Sequence, residues 1–144
     1  MKSSDSQLNE LIEITRDGQH FYQHALNEVQ DEQMRQLFRD MVQTKAEVIQ
    51  ALSSKVASDL EQPSMGGTLV GKLREAYADT RARFAKNETA VYVSQLEAAE
   101  SRIVHAFEDA LESAEPEVRT LVAAEMPKVR ACHDRIWTLK KTLQ

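Results

Sequence analysis

The chain has 144 residues and a formal net charge of −5 at pH 7, with 42% hydrophobic and 28% charged residues. These values are typical of one folded domain, residues 1–144, and they argue against a disordered chain and, because the basic residues are scattered, against a nucleic-acid-binding protein. Only four glycines and three prolines interrupt the sequence, so we expect few turns and long helices.

Helix A is predicted from about Ser6 to Glu28, because apolar or small residues recur there every three or four positions. Asp31 is a suitable N-cap for helix B, since its short carboxylate can accept a hydrogen bond from the free backbone N–H groups of the first turn. Helix B ends before the segment EQPSMGG. The predicted inward positions of the two helices are Leu8, Leu11, Thr15, Gly18, Tyr22, Ala25 and Val29, then Met34, Phe38, Met41, Lys45, Val48, Leu52 and Val56.

Three more helices are predicted after the pair of glycines that follows helix B. Helix C begins at Thr68, and Asn87 is the predicted N-cap of helix D. Pro116 suits the first turn of helix E, because the N–H that proline lacks would have no partner there. The inward positions are Leu69, Leu73, Tyr77, Thr80 and Phe84 in C, Val93, Leu96, Glu100, Ile103, Phe107 and Ala110 in D, and Val118, Val122, Glu125, Val129, Cys132, Ile136, Leu139 and Leu143 in E.

The lengths of the connections predict how the helices are arranged. Helices A and B, and likewise D and E, are joined by a few residues, so each pair should form an antiparallel hairpin. Helix C, with about 19 residues at a rise of 1.5 Å, would cover about 28 Å and could return the chain along the bundle. We therefore predict an all-α, ferritin-like four-helix bundle whose hairpins are joined by a crossover containing helix C. An up-down five-helix bundle is the alternative.

Charged residues lie on otherwise apolar helix faces at the middle of this bundle. Counting from the shared helix ends places Lys45, Glu100 and Glu125 at similar heights. An unpaired buried charge is very costly, so we expect Glu100 to pair with Lys45 or with His133. Gly18 lies at the same height, and because it lacks a Cβ it would let the stem of Lys45 or another large side chain approach helix A.

A complete di-iron carboxylate site is not predicted. Such a site needs a glutamate from each of two helices and a Glu-x-x-His pair from each of the other two. No glutamate here is followed by a histidine three residues later, and Lys45 would invert the charge that two metal ions require. We therefore expect no bound iron, manganese or zinc and no catalytic residue. The alternative is a degenerate metal site whose ligands come from Glu13, Glu97, Glu100, Glu125 and His133.

Asp17, His20 and His24 share one face of helix A, together with Glu13. Their spacing could supply part of a metal site, but one helix provides only two or three of the four ligands that zinc requires. This face lies mainly opposite the apolar positions of helix A. We therefore interpret these residues as a solvated surface stripe rather than as ligands, and we also keep Asp17, beside Gly18, as a candidate residue of the polar centre.

Three other features of helices D and E could carry chemistry. Glu97 and Glu100 form a Glu-x-x-Glu pair that could face a metal or share a proton, although Glu100 is more simply a core partner and Glu97 a boundary residue. His133 is expected to hydrogen-bond a carboxylate. Cys132 is expected to be a small buried apolar residue, and Pro127 should bend helix E because it removes a backbone hydrogen bond.

The segments LIEITRDG, QLEAAESRIVHAFEDAL and VRACHDRI together resemble a bacterial ferritin-like four-helix-bundle family of unknown function. Members share an LIE-x-x-[KR]-DG opening, a Glu-x-x-Glu in the third long helix and an HDRI-like segment in the last. The resemblance implies a bundle fold and a bacterial source, without an established activity. The matching positions are Glu13, Asp17, Gly18, Glu97, Glu100, His133, Asp134 and Arg135.

These observations favour a non-enzymatic protein that acts by association, as a homodimer or with another protein, in a stress or envelope response suggested by analogy. Trp137 and the outer face of helix C are the candidate contact surfaces. The N-terminus lacks the apolar segment of a signal peptide, no apolar run would span a membrane, and the single cysteine fits a reducing compartment, so we expect a cytoplasmic location. Small-molecule binding at the polar centre is a further reading.

Overall fold

The computed structural model describes residues 4–58 and 89–143, and within these ranges it contains α-helices and no strand. Helix α1 comprises Ser4–Glu28, α2 Glu32–Ser58, α3 Thr89–Ser113 and α4 Pro116–Thr142. Predicted helices A, B, D and E are therefore present. Predicted helix C and the predicted cap at residue 87 lie outside the described residues.

The turn between α1 and α2 is fixed by two side chains. The backbone N–H of Met34 donates to Oδ1 of Asp31 at 2.9 Å, so the predicted N-cap of α2 is confirmed. The guanidinium of Arg35 donates to the carbonyl of Leu26, in the last turn of α1, and to the carbonyl of Val29, which follows the helix. These bonds satisfy backbone groups that have no partner within a helix end, and they hold the two helices as a hairpin.

In α4, Pro116 occupies the first helical position, as predicted, and follows an extended Glu115. The helix continues through Pro127 to Thr142. Pro127 is exposed on the surface of this continuous helix. The last turn of the helix contains the basic residues Lys140 and Lys141.

Two apolar clusters show how the helices run. One contains the start of α1, the end of α2, the end of α3 and the start of α4, and the other contains the opposite ends. Helix α1 is therefore antiparallel to α2 and to α3, and α4 is antiparallel to α3 and to α2. Both predicted hairpins are present. Because α2 and α3 run in the same direction, residues 58 and 89 lie at opposite ends of the bundle.

The predicted inward positions within the described helices are buried, except that Leu139 and Leu143 are half-buried. Each helix packs against two neighbours, so the buried arc is wider than the single row of residues that the sequence pattern indicated. For example, Phe21 packs edge-on against Tyr92, with the ring centroids 5.6 Å apart. The buried residues that the pattern missed include Ile12, Phe21, Ile49, Tyr92, Ala99, Ala114 and Met126.

Gly18 is the point of closest approach at the centre of the bundle. A Cβ atom at this position would lie 2.9 Å from Cδ1 of Ile103 on α3 and 3.4 Å from Cε of Lys45 on α2. The sequence-based interpretation of Gly18 is thereby confirmed. The glycine costs the helix about 1 kcal/mol relative to alanine, and in return α2 and α3 side chains pack directly against the backbone of α1.

We expect the effect of Gly18→Ala to depend on Ile103. In the parent protein the gain in helix propensity, about 1 kcal/mol, is offset by displacement of Cδ1, so the free energy of unfolding should change little. In an Ile103→Val background Cδ1 is absent, and Gly18→Ala should stabilise by up to about 1 kcal/mol. Urea midpoints of the four proteins measure the difference. Equal effects in both backgrounds would contradict the contact.

Candidate polar centre and surface site

A buried ion pair lies at the middle of the bundle. Nζ of Lys45 is 2.6 Å from Oε1 of Glu100, and the two side chains are 3% and 1% exposed. The Tyr22 hydroxyl donates to Oε2 of Glu100 at 2.9 Å. Nζ of Lys45 also lies 5.6 Å from the centroid of the Tyr22 ring. Both oxygens of the buried carboxylate therefore have a partner, and the predicted pairing of Glu100 with Lys45 is confirmed.

The pair joins α2 and α3, which lie diagonally opposite each other in the bundle. Helix α2 packs against α1 and α4, and α3 packs against the same two helices. Lys45 therefore has to reach across the core to Glu100, and its long stem passes the space that Gly18 leaves open on α1. Since the pair links one hairpin to the other, it constrains their relative height in a way that nonspecific apolar contacts do not.

The environment fixes the protonation of Tyr22. Burial, followed by the charge of Glu100 and the hydrogen bond to it, raises the pKa of Tyr22 well above its ordinary value. The phenol therefore remains a hydrogen-bond donor throughout the physiological range. A donor here offsets part of the cost of keeping the Glu100 carboxylate away from water.

A second polar cluster lies at the half-buried boundary between α3 and α4. Oε2 of Glu97 accepts from Ser101 at 2.7 Å and lies 3.0 Å from Nε2 of His133, while Nζ of Lys140 donates to Oε1 at 3.1 Å. Burial alone would raise the pKa of Glu97, but the hydrogen bonds from Ser101, Lys140 and His133 lower it below its ordinary value. The predicted contact of His133 with a carboxylate is therefore confirmed, and Glu97 is the carboxylate.

Glu125 is buried on α4, but its charged partner lies on its own helix. Nζ of Lys128 is 3.7 Å from Oε1 of Glu125 and 3.6 Å from Oε1 of Glu47 on α2. Glu125 was predicted at the height of the central pair. Its contact with Lys128 lies on the side of α4 that faces α2.

Asp17 corrects the prediction of a solvated stripe on α1. His20 is exposed, as predicted, whereas Asp17 is only 4% exposed. Asp17 precedes Phe21 by one helical turn and so shares the flank on which Phe21 is buried against α3. Oδ2 of Asp17 has no hydrogen-bond partner. Burial, and then the nearby charge of Glu13, raises the pKa of Asp17 to about 6, although the charge of Arg16 opposes this shift.

The candidate metal ligands do not come together as one site. Among residues 4–58 and 89–143, no group of three or more His, Cys, Asp or Glu side chains is placed to hold a metal ion. Of the candidates Glu13, Glu97, Glu100, Glu125 and His133, Glu97 and His133 contact each other. Burial raises the pKa of Cys132 to about 11, so its thiol stays protonated and packs as a small apolar group.

Three residues that take part in the polar clusters were not predicted from the sequence. Tyr22 was assigned to the apolar row, although a buried tyrosine needs a partner for its hydroxyl. Ser101 lies one turn after Glu97, and Lys140 lies two turns after His133, so both share a helix face with a predicted site residue. Helical spacing alone could have suggested these two, but it does not identify the contacts across helices.

Trp137 is the one large apolar side chain of the described residues that is exposed, at 41%. It lies on α4 beside the Glu97 cluster, and Nζ of Lys140 and of Lys141 are 5.3 and 5.0 Å from its ring centroid. Cations at this distance interact favourably with the face of an indole ring. Trp137 and the two lysines therefore form a mixed aromatic and basic surface.

Comparison with known proteins gives one family. The model of a family described as a domain of unknown function (DUF2383) matches residues 4–113, which include α1, α2 and α3. No curated protein and no solved structure matches the chain. None of the helices in the described ranges has the length and apolar character that crossing a membrane would require.

We expect the Lys45 and Glu100 substitutions to be strongly non-additive. Glu100→Leu leaves the Lys45 ammonium buried without a counter-ion and should destabilise the protein by about 3 to 5 kcal/mol. Lys45→Met combined with Glu100→Leu should recover much of this loss, because apolar packing replaces a pair whose desolvation largely cancels its attraction. Denaturant midpoints of the four proteins measure the coupling. Additive effects would contradict a direct pair.

In the Lys45→Met, Glu100→Leu variant the Tyr22 hydroxyl has no acceptor, because the Glu100 carboxylate has been removed. Adding Tyr22→Phe should therefore stabilise the Lys45→Met, Glu100→Leu protein, whereas the same change in the parent protein should destabilise it. A Tyr22→Phe effect of the same sign in both proteins would argue that the hydroxyl has another acceptor.

Asp17 should make stability depend on pH. The folded state holds its proton more tightly, with a pKa of about 6 against an ordinary 3.8, so this contribution is complete below pH 3.8 and lost as the pH rises through 6. Relative to the parent, Asp17→Asn should gain up to about 3 kcal/mol between pH 3.5 and 7.5. Urea midpoints across this range measure the gain. Glu13→Gln, which removes a like charge, should reduce the pH dependence of the parent. A constant difference between Asp17→Asn and the parent would contradict the buried carboxylate.

Proposed function

The chain belongs to the DUF2383 family, a domain of unknown function, and we propose that it is a non-enzymatic helical-bundle protein that acts by binding another protein surface. The observation that carries this proposal is the exposure of Trp137 beside Lys140 and Lys141 on α4. Tryptophan is enriched among the residues that contribute most to protein–protein binding, because its ring supplies a large contact area at a small cost in side-chain entropy.

The polar centre supports a structural role rather than catalysis. Lys45 and Tyr22 occupy both oxygens of Glu100, and the Lys45 and Glu100 side chains are nearly inaccessible to solvent. A general acid or base has to reach its substrate directly or through one water molecule. Groups that are buried and satisfied by one another do not meet this condition, so function is expected at the surface of the bundle.

We also propose a ferritin-like topology in which predicted helix C forms the crossover. The support is that α2 and α3 run in the same direction, so their connection has to return the chain to the other end of the bundle. A bacterial source stays a prediction from the resemblance, and a role in a stress or envelope response stays a prediction by analogy. A cytoplasmic location stays a prediction, supported by the presence of a single cysteine.

The alternative is a degenerate metal-binding or oxidase-like protein. Its best support is the Glu97 and His133 pair, whose oxygen and nitrogen atoms lie 3.0 Å apart on neighbouring helices. Lys140 bonds the same carboxylate and would oppose a metal cation there. Elemental analysis of untagged protein distinguishes the two proposals. Stoichiometric iron, manganese or zinc that is lost in Glu97→Gln or Glu100→Gln would favour the alternative.

The association proposal is tested by photocrosslinking in the native host. A photoreactive residue in place of Thr138, which is exposed one position from Trp137, should give a discrete product of higher mass. The same residue in place of Gln50, exposed on α2, is the matched control. We expect at least about fivefold more product from position 138, because hot-spot contacts cluster around buried aromatic anchors. No product, or equal products from both positions, would contradict the proposal.

A further inference from the structure

Trp137, Lys140 and Lys141 form one exposed site near the end of α4, which we call the Trp137 surface. The indole ring is 41% exposed. The two lysines follow it by three and four positions, the spacing that places side chains next to each other on a helix. Their Nζ atoms lie 5.3 and 5.0 Å from the ring centroid. A partner therefore cannot cover the ring without also displacing water from at least one ammonium group.

The two lysines differ in their counter-ions. Nζ of Lys140 donates to Oε1 of Glu97 at 3.1 Å, and its side chain is mostly buried. Lys141 is exposed, and within residues 4–58 and 89–143 no carboxylate pairs with its ammonium, which contacts the Trp137 ring. When the ring is covered, the counter-ion of Lys141 has to come from the partner.

The arginines in the second half of α4 are already neutralised within the bundle. Arg130 lies 3.7 Å from Glu108 on α3, and Arg135 lies 3.2 Å from Asp40 on α2. Both guanidinium groups therefore point to neighbouring helices, one on each flank of α4. The Trp137 surface thus offers a single cation without a carboxylate partner, the Lys141 ammonium.

A single free cation is a poor match for a polyanion. Nucleic acids and anionic membranes are bound through several cations at once. The side chain of Asp134, 80% exposed and one turn before Trp137, adds a negative charge beside the site. The net charge of the chain, −5, acts in the same direction. The charge pattern therefore suits one carboxylate better than a row of phosphates.

The cost of covering Lys141 selects among protein partners. A purely apolar partner would remove water from the ammonium and replace it with nothing, which is costly. A basic partner would add repulsion. A partner that carries a carboxylate next to an apolar side chain avoids both costs, because the carboxylate forms a charge-assisted hydrogen bond with the ammonium while the apolar group packs on the ring.

We propose that the Trp137 surface binds an acidic segment of another protein, in which an aspartate or glutamate lies beside an apolar side chain. The apolar side chain packs on the exposed ring, and the carboxylate pairs with Lys141. Glu97 holds Lys140 in place beside the ring, so that edge of the site is fixed before the partner arrives. The inference rests on the proposed function and adds the chemistry of the partner.

Selection from a phage library of short random peptides tests this chemistry. Peptides that bind the parent protein but not Trp137→Ala should contain an acidic residue beside an apolar one at least about fivefold more often than the starting library, as expected for one favourable ion pair. Selection on Lys141→Glu should reverse the preference to Lys and Arg, because the charge that the peptide meets is inverted.

A selected acidic peptide, synthesised and titrated, gives the affinity. Trp137 is the single tryptophan of the chain, so its emission should shift to shorter wavelength as the peptide covers the ring. Lys141→Glu should raise the dissociation constant by about tenfold, and added salt should weaken binding to the parent protein. Arg119→Glu is the matched control. It makes the same charge change at an exposed position of α4, about 33 Å along the helix from Lys141, and should leave the constant within about twofold.

Several results would overturn the inference. These are the absence of any selected peptide that depends on Trp137, the absence of an acidic preference among those that do, and an acidic preference that survives Lys141→Glu. In each case the proposed function is decided separately by photocrosslinking at position 138, since a discrete product there would still show a protein partner.

Two further measurements exclude other occupants. Binding to vesicles that contain phosphatidylserine, lost in Lys141→Glu, would assign the Trp137 surface to a membrane and overturn the inference. Self-association in sedimentation velocity that is lost in Trp137→Ala would assign it to a second copy of the chain. We expect neither, so the parent protein should remain unbound to the vesicles and free of self-association through Trp137.

Discussion

The Lys45 and Glu100 ion pair is the interaction on which the arrangement of the bundle depends most directly. It connects the two diagonal helices, so its geometry is correct only when both hairpins have the right height and rotation. Apolar contacts along the same helices could tolerate a shift of one turn, because they repeat at every third or fourth position. A buried charge cannot tolerate it, since any other register leaves an ammonium or a carboxylate without a partner.

The Gly18 contact and the Tyr22 hydrogen bond both serve this pair. Gly18 leaves room for the Lys45 stem, and Tyr22 occupies the oxygen of Glu100 that the ammonium does not. Each residue has a local cost. Glycine lowers the helix propensity of α1, and tyrosine places a polar hydroxyl in the apolar core. The glycine in the segment LIEITRDG is therefore explained by a contact with the other hairpin rather than by the conformation of α1 itself.

The sequence predicted the helices, the hairpins and the central pair because these follow from spacing along one helix and from counting between shared ends. Asp17 and Tyr22 were harder. Their roles depend on helix flanks that contact a second neighbour, and one row of inward positions does not reveal how wide the buried arc is. The Glu97 cluster was found only in part, since Ser101 and Lys140 become relevant only when α3 and α4 are in register.

The two glutamates of the Glu-x-x-Glu motif illustrate why the motif does not determine a chemistry. Both lie on α3 one turn apart, yet Glu100 points to the bundle axis and Glu97 to the boundary with α4. Each carboxylate is bound by a cation from another helix, Lys45 in one case and Lys140 in the other. A divalent ion near either carboxylate would have to displace or oppose an ammonium that already neutralises it. Both carboxylates of the motif are therefore already neutralised by lysines from other helices, so the Glu-x-x-Glu spacing by itself does not identify a metal site.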